Sequence, residues 1–160
     1  MTYSILGNIL KLFRFNTVLN QKRLMNYWLL KTEPGTYSWD DLVKKGMDMW
    51  DGVRNFRARS NLKKIKTGDI SFFYHSGKEP GIVGLVETIK EHYPDPTDKS
   101  GVWVVVEVKP LRKLKRFVGL HEIKKIQELH NMVLVKNSRL SVQPVTEDEF
   151  NFIVQLSEKV

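Results

Sequence analysis

One short stretch, MWDGVRNFRARSNL at residues 49–62, combines an aromatic ring, a tight turn and several cations. Trp50 precedes Asp51-Gly52, and glycine after aspartate favours a reversal because glycine accepts positive φ. Such a turn would hold the ring at the lip of a cavity, with backbone N–H groups pointing inward at a helix start. A stacking surface, fixed donors and phosphate-binding charge together suit an unstacked nucleobase. The alternative is a buried Trp50 beside a solvated face of arginines.

Residue spacing predicts a helix over residues 54–65 with two different faces. Ala58, Leu62 and Ile65 recur at offsets of four and three, which is typical of one apolar face. The polar and cationic residues of the other face are Arg54, Arg57, Asn61 and Lys64. We therefore expect phosphate contacts from that second face.

Composition and charge limit the possible classes of function. The chain of 160 residues suffices for one domain with a full hydrophobic core. It contains no cysteine, which excludes disulfides, thiolate zinc sites and cysteine nucleophiles and fits a reducing compartment. The net charge of +8 favours polyanionic partners. Half of this charge comes from Lys11, Arg14, Lys22 and Arg23, so the rest of the chain is only mildly basic.

Residues 1–25 form an N-terminal extension that mixes apolar and basic residues and contains no acid. Its apolar run is too short to span a bilayer, and Lys11 and Arg14 interrupt it too early for a secretory signal. It is either the product of a start codon placed upstream of the true one, or an organelle presequence or membrane-surface helix. We favour the first, because Met25 directly precedes the first predicted strand, and we expect the extension to be dispensable for folding.

Turn and capping signals divide residues 26–160 into short strands and helices. The predicted strands are 27–30, 70–75, 82–89, 102–108 and 142–145, and the predicted helices are 39–46, 120–129 and 146–157. Ser38 and Thr146 have the residue types and spacing of helix N-caps. This order of elements indicates a compact α+β domain on a small, strongly curved sheet. The basic run KPLRKLKR at 109–116 is either a phosphate-contacting rim or a solvated surface.

Several long motifs then carry a family resemblance, namely YWLLKTEPGTYSWDDL, WDGVRNFRARSNL, GDISFFYHSGKEPGIVGLVE, YPDPT and SRLSVQPV. In this order they resemble the EVE domain over about residues 26–156, so residues 26–160 are expected to form one such domain. The resemblance implies a PUA-like fold, a curved β-barrel surrounded by helices, as in YTH readers of methylated adenosine and in ASCH domains. It also implies a non-catalytic module that recognises a modified base, methylated or hydroxymethylated for example, in DNA or RNA without cofactor or metal.

The resemblance further implies which residues line a pocket for that base. One wall would be Trp50 with the residues that follow it, Asp51, Gly52, Val53, Arg54, Asn55 and Arg57. The ends of two strands would supply Lys31, Thr32, Glu33, Tyr74, His75 and Ser76. Arg139 and Ser141 would close the floor or rim. The loop after Thr97 is shorter than in many relatives, so ligand preference could differ.

Two other functions remain open at this point. A small ASCH-like ribonuclease or hydrolase would need a general base, for which only His75 and Glu33 are suitable. His75 and Ser76 are neighbours on a strand and point to opposite faces, so they do not readily pair as base and nucleophile. The third possibility is an interaction module that binds a small metabolite. We expect a monomer without stable membrane insertion, cytoplasmic, or nuclear or organellar if the source is eukaryotic.

Overall fold

The computed structural model describes residues 24–159, and all structural statements below concern this part of the chain. The predicted N-terminal extension lies outside the described residues except for its last two positions. Six strands run from β1 to β6: Tyr27–Thr32, Asp48–Met49, Ile70–His75, Gly81–Pro94, Val104–Gly119 and Val142–Val145. Five α-helices run from α1 to α5: Trp39–Lys45, Phe56–Leu62, Leu120–Lys125, Val133–Lys136 and Glu147–Glu158. A short 3-10 helix, Gln127–Leu129, follows α3.

The strands form one sheet in the order β2-β5-β4-β3-β1-β6. Strands β1 and β3 pair in parallel, and the other neighbours pair antiparallel. The predicted α+β class is confirmed. The sheet is open, because β2 and β6 each have only one neighbour, so closure into a barrel is not confirmed.

Both faces of the sheet are covered, since successive strand residues point to opposite sides. On one face Trp28, Leu30 and Phe73 pack with residues of α1 and α2. On the other face Leu29 and Phe72 pack with residues of α3, α4 and α5. Each face of β1 and β3 therefore belongs to a separate hydrophobic core. Neighbouring residues at the ends of these strands point to opposite faces of the sheet and so to different cores.

Local capping interactions set the helix starts as the sequence predicts. Ser38 Oγ accepts the Asp41 N–H at 3.2 Å, and the Asp41 carboxylate accepts the Ser38 N–H at 2.8 Å. Thr146 forms the same reciprocal pair with Glu149 at the start of α5. These capping boxes satisfy N–H groups that the first helical turn leaves without partners.

The second half of β5 contains the basic run 109–116. This run continues the strand as far as Gly119. Its ion pairs join Lys109 to Glu87, Arg112 and Lys115 to Glu158, and Arg116 to Glu122. Because four of its five cations already have carboxylate partners in the protein, the solvated surface is the better supported of the two interpretations of this run.

Candidate functional site

A cavity of about 360 Å³ lies beside the segment that joins α1 to α2. Its volume falls within the range of about 300–1,000 Å³ that is usual for small-ligand pockets. The lining residues come from β1, the loop before α1, the end of α1 and the stretch around β2: Lys31, Thr32, Thr36, Tyr37, Lys45, Asp48, Met49, Trp50, Asp51 and Gly52. The predicted Asp51-Gly52 turn borders this cavity, and Gly52 has the positive φ expected of it, 73°.

Trp50 lines the cavity but is not the exposed ring that the sequence predicts. It is only 6% exposed and belongs to the core formed with Trp28, Phe73 and Ala58. Its ring meets those of Phe73 and Tyr37 edge to face, with centroid distances of 5.4 and 6.3 Å. Of the two interpretations that the sequence left open, the buried one holds, because these rings and the core around them cover Trp50. Trp50 is thus a core residue, and part of its surface lines the cavity.

Three lining residues that the sequence analysis missed form a polar cluster. The Tyr37 hydroxyl donates to Asp48 Oδ2 at 2.8 Å, and Lys45 Nζ donates to the same oxygen at 2.6 Å. Lys45 Nζ also lies 5.3 Å from the centroid of the Tyr37 ring. The i, i+3 spacing of Lys45 and Asp48 is visible in the sequence, but the contact with Tyr37 requires the loop to fold over the end of α1.

The hydrogen bonds of this cluster keep the carboxylate of Asp48 ionised in the cavity. Burial would raise the pKa of Asp48, but hydrogen bonds from Lys45 and Tyr37 outweigh it and lower that pKa below its usual range. Burial, together with the hydrogen bond to Asp48, raises the pKa of Tyr37 well above its usual value. At neutral pH the cavity therefore presents an ionised Asp48 and a protonated Tyr37 hydroxyl.

Lys31 and Thr32 also border the cavity, and both are held by neighbouring loops. Thr32 Oγ1 donates to the Tyr37 carbonyl at 2.9 Å. The Lys31 N–H donates to the Ser141 carbonyl at 3.0 Å, and its ammonium donates to the Ser138 carbonyl. Burial lowers the pKa of Lys31. Ser141 thus supports β1 through its backbone.

A second depression, separate from the cavity, collects Glu33, His75 and Ser76 beside Lys113 and Phe117. His75 Nε2 accepts the backbone N–H of Trp39 at 3.1 Å, so His75 holds the start of α1. Burial lowers the pKa of His75 and favours the neutral ring that this acceptor role requires. The family resemblance implies one pocket that holds all three residues with Trp50, but the structure divides the set between two sites.

Tyr74, Val53 and Arg139 do not line the cavity either. Tyr74 is 1% exposed and packs in the core on the opposite face of the sheet. Val53 is buried in the core that contains Trp50. Arg139 is exposed and outside the cavity lining. Strand parity explains Tyr74, because it follows Phe73 and must point to the other side.

The residues after the turn organise the start of α2. Asn55 is its N-cap and accepts the Ala58 N–H through its side chain at 3.0 Å. Arg54 pairs with the buried carboxylate of Asp95 at 2.9 Å, which ties the turn to the loop after β4. Asn61, predicted on the cationic face, is buried and donates to the Val142 carbonyl at 2.8 Å. Arg57 lies exposed on the helix surface.

Within residues 24–159, no three His, Cys, Asp or Glu side chains are grouped closely enough to hold a metal ion. Over the same residues, no helix combines the length and apolar character needed to cross a membrane.

The fold is thus α+β, an open mixed sheet packed with helices, and a partly aromatic, partly charged cavity lies at one side of it. The chain belongs to the EVE domain family, whose model matches residues 26–156. It is 39% identical to thymocyte nuclear protein 1 of Homo sapiens, over 86% of this chain and 76% of that protein.

Two solved structures bear on the fold and the site. Human THYN1, in complex with DNA containing 5-methylcytosine, is similar with a TM-score of 0.78 at 39% identity, over 85% of this chain and 99% of that one. The YTH domain of Zygosaccharomyces rouxii MRB1, in complex with N6-methyladenosine RNA, has a TM-score of 0.54 at 19% identity, over 86% and 87%. At that identity, the second likeness concerns the fold alone.

Proposed function

We propose that this protein is a non-catalytic module that binds a modified base of DNA or RNA in the cavity beside Trp50. The observation that carries the proposal is this cavity of about 360 Å³, in a chain 39% identical to human THYN1, which was solved with DNA containing 5-methylcytosine. A base reaches such a cavity only after it has left the stack of its strand. The nucleic acid is therefore single-stranded, or a duplex from which one nucleotide is flipped.

The lining supplies the two kinds of contact that base recognition requires. Trp50 and Tyr37 provide aromatic surface, and a methyl substituent on the base would fill apolar space beside them. Asp48 and the hydroxyl of Thr32 provide polar groups at the base edge. A carboxylate accepts hydrogen bonds from an exocyclic amino group such as that of cytosine, so Asp48 favours an amino-bearing base.

Flanking phosphates meet the cations beside the cavity. Arg57 is exposed, and Arg54 is half-exposed although it pairs with Asp95. Phosphate contacts position a strand without reading its sequence. They add affinity that falls as the salt concentration rises. Arg139 is retained in this proposal only as a more distant phosphate contact.

A ribonuclease function is less well supported than binding. One candidate base, His75, already uses Nε2 to accept the Trp39 N–H, and the other, Glu33, accepts the Gly35 N–H at 3.3 Å. Ser76 Oγ donates to the Thr32 carbonyl at 3.2 Å. A general base needs a free acceptor within reach of the substrate proton. The proposal therefore assigns no catalytic residue, and RNA incubated with nuclease-free protein is expected to stay intact.

We also propose an assembly state and a location for the protein. We infer a monomer whose PUA-like fold places the cavity at the side of the sheet. We infer a cytoplasmic location, or a nuclear or organellar one for a eukaryotic source, where the similarity to thymocyte nuclear protein 1 favours the nucleus.

The test is a binding titration with single-stranded oligonucleotides that differ only in one base modification. Burial of one methyl group is worth about 0.8 kcal/mol, so the preferred methylated base should bind about fourfold more tightly than its unmodified form. The panel includes 5-methylcytosine, 5-hydroxymethylcytosine and N6-methyladenine. Equal affinity for every modified and unmodified oligonucleotide would refute recognition of a modified base.

A cavity-filling variant tests where the base binds. Thr36→Trp places a large ring at an exposed lining position, so it should remove the preference for the modified base while the melting temperature stays near that of the parent. Gln155→Trp, at an exposed position on α5, is the matched control. An unchanged preference in Thr36→Trp would exclude this cavity as the site.

A further inference from the structure

Two aromatic rings form a surface that the cavity does not use. Phe56, at the start of α2, is 66% exposed, the second-largest exposure among the large hydrophobic residues described. Its ring lies 5.1 Å from that of Trp103, at an interplanar angle of 37°. Trp103 is half-buried beside it, so the two rings form one contiguous apolar patch rather than a scattered single residue.

Arginines surround both rings. The Arg59 guanidinium carbon lies 5.1 Å from the centroid of Phe56 and 5.9 Å from that of Trp103. The Arg54 guanidinium carbon lies 5.8 Å from the Trp103 centroid. We call the surface formed by Phe56, Trp103, Arg54 and Arg59 the aromatic platform. It joins flat rings to positive charge.

Hydrogen bonds hold the platform in place before any partner binds. Arg59 donates to the Val102 carbonyl at 2.8 Å, and Arg54 donates to the Asp95 carboxylate at 2.9 Å. The Asp98 carboxylate accepts the N–H groups of Val102 and Trp103, each at 3.0 Å. The loop that carries Trp103 is therefore fixed to α2, and little conformational entropy is lost when a ligand stacks on it.

We propose that the aromatic platform is a second binding surface, which stacks bases of an unmodified single strand of DNA or RNA. Every base has a flat π-face, so stacking on Phe56 requires neither a modification nor a particular sequence. The guanidinium groups beside the rings attract the phosphates of the same strand. A protein partner could cover exposed rings, but the arginines at their edges favour a polyanion.

The position of the platform agrees with this role. Phe56 follows Gly52, which lines the cavity, by four residues, so their Cα atoms are at most about 14 Å apart. A strand of a few nucleotides could occupy both surfaces at once. The proposal goes beyond the modified-base function and does not depend on it, because an unmodified strand binds the platform alone.

The experiment is a fluorescence titration of the full chain with an unmodified single-stranded oligothymidylate. Phe56→Ala should weaken binding about 5- to 150-fold, the range for loss of one base–aromatic stack. Leu111→Ala removes an exposed hydrophobic side chain elsewhere and should leave affinity unchanged. Because Phe56 is exposed, both variants should melt near the parent. Thr36→Trp should also bind oligothymidylate normally, which separates the platform from the cavity.

The salt dependence of oligothymidylate binding is a second measurement, which tests the charge of the platform. The guanidinium of Arg59 lies beside both rings, and Arg59→Gln should reduce the slope of log affinity against log salt by about 0.7, the value for one phosphate of a single strand. The matched control is Lys136→Gln, an exposed cation on α4.

Three results would overturn the proposal. These are no measurable binding of oligothymidylate, the same affinity for Phe56→Ala as for the parent, and loss of binding in Thr36→Trp alone. If Phe56→Ala changes only the oligomeric state, the rings are an interface between copies of this chain and the proposal is likewise refuted. A failure of modified-base recognition leaves these measurements unaffected.

Discussion

Replacement of Trp50 by alanine should lower both the stability of the fold and the affinity for a base. Trp50 is 6% exposed and packs against the rings of Phe73 and Tyr37. Tryptophan-to-alanine changes in a core cost about 3–5 kcal/mol, because a cavity remains where the ring was. For a chain of this size that corresponds to a melting temperature lower by about 6–20 °C.

Its effect on binding must be measured per folded molecule, since an unfolded fraction would imitate lost affinity. A base that contacts the bordering part of the Trp50 ring should then bind about 5- to 150-fold more weakly to Trp50→Ala. Trp50→Phe should lose less stability and less affinity, because a planar ring remains. The assay is a pair of denaturant titrations and ligand titrations on each variant, at a temperature where both are folded.

Phe56→Ala is the matched control for stability, because it removes an aromatic side chain from the same stretch at an exposed position. Surface substitutions usually stay within about 0.5 kcal/mol of the parent. If Trp50→Ala melts as close to the parent as this control does, the ring is not part of the core. If stability falls while affinity per folded molecule is unchanged, Trp50 supports the cavity from behind and does not contact the base.

Two further predictions concern packing and pH. Gly84→Ala would place a Cβ 2.5 Å from the Trp39 ring, so it should cost about 1–3 kcal/mol of stability in denaturant titrations, whereas Gly35→Ala, whose Cβ meets only a side-chain oxygen at 3.4 Å, should not. Hydrogen bonds, first that from the Trp103 N–H and then those from Ser100, lower the pKa of Asp98 to about 2. Because the folded pKa lies below the unfolded value of about 3.9, this stabilisation is present above pH 4 and is lost as the pH falls toward 2. Asp98→Asn should therefore reduce the difference between melting temperatures at pH 5 and pH 2, and an undiminished difference would contradict this role.

The features that the sequence predicts correctly depend on contacts within a few residues. Ser38 with Asp41, and Thr146 with Glu149, are three residues apart, and both capping boxes form. The glycine of the Asp51-Gly52 turn adopts positive φ because its immediate neighbours require the reversal. Such interactions can be deduced from spacing alone, since the chain has little freedom over that distance.

Features that depend on distant partners could not be predicted in this way. The helical wheel places Asn61 with Arg57, but a carbonyl of β6 comes within 2.8 Å of the Asn61 amide and buries it. Likewise, His75 turns to the Trp39 N–H, a partner separated from it by 36 positions. Each of these contacts requires knowledge of which strand lies beside which, and the motif order does not supply it.

The candidate site shows the same difference between local contacts, which residue spacing predicts, and distant contacts, which it does not. The stretch from Trp50 to Arg59 alternates between roles: Trp50 and Val53 enter the core, Asp51 and Gly52 border the cavity, and Asn55 caps α2. Residue types indicate a base-binding stretch, but the family resemblance assigns its residues from Trp50 to Arg57 to one pocket wall.

Because a turn and a helix start follow one another, consecutive side chains point to different sides, and one stretch can serve two surfaces. The ion pair between the partly exposed Arg54 and the buried Asp95 lies between them and ties the turn to the loop before Trp103. Loss of that pair would leave the Asp95 carboxylate buried without its cation, a costly state. The cavity and the aromatic platform therefore share one structural support, so a strand that binds both can add affinity without rearranging either.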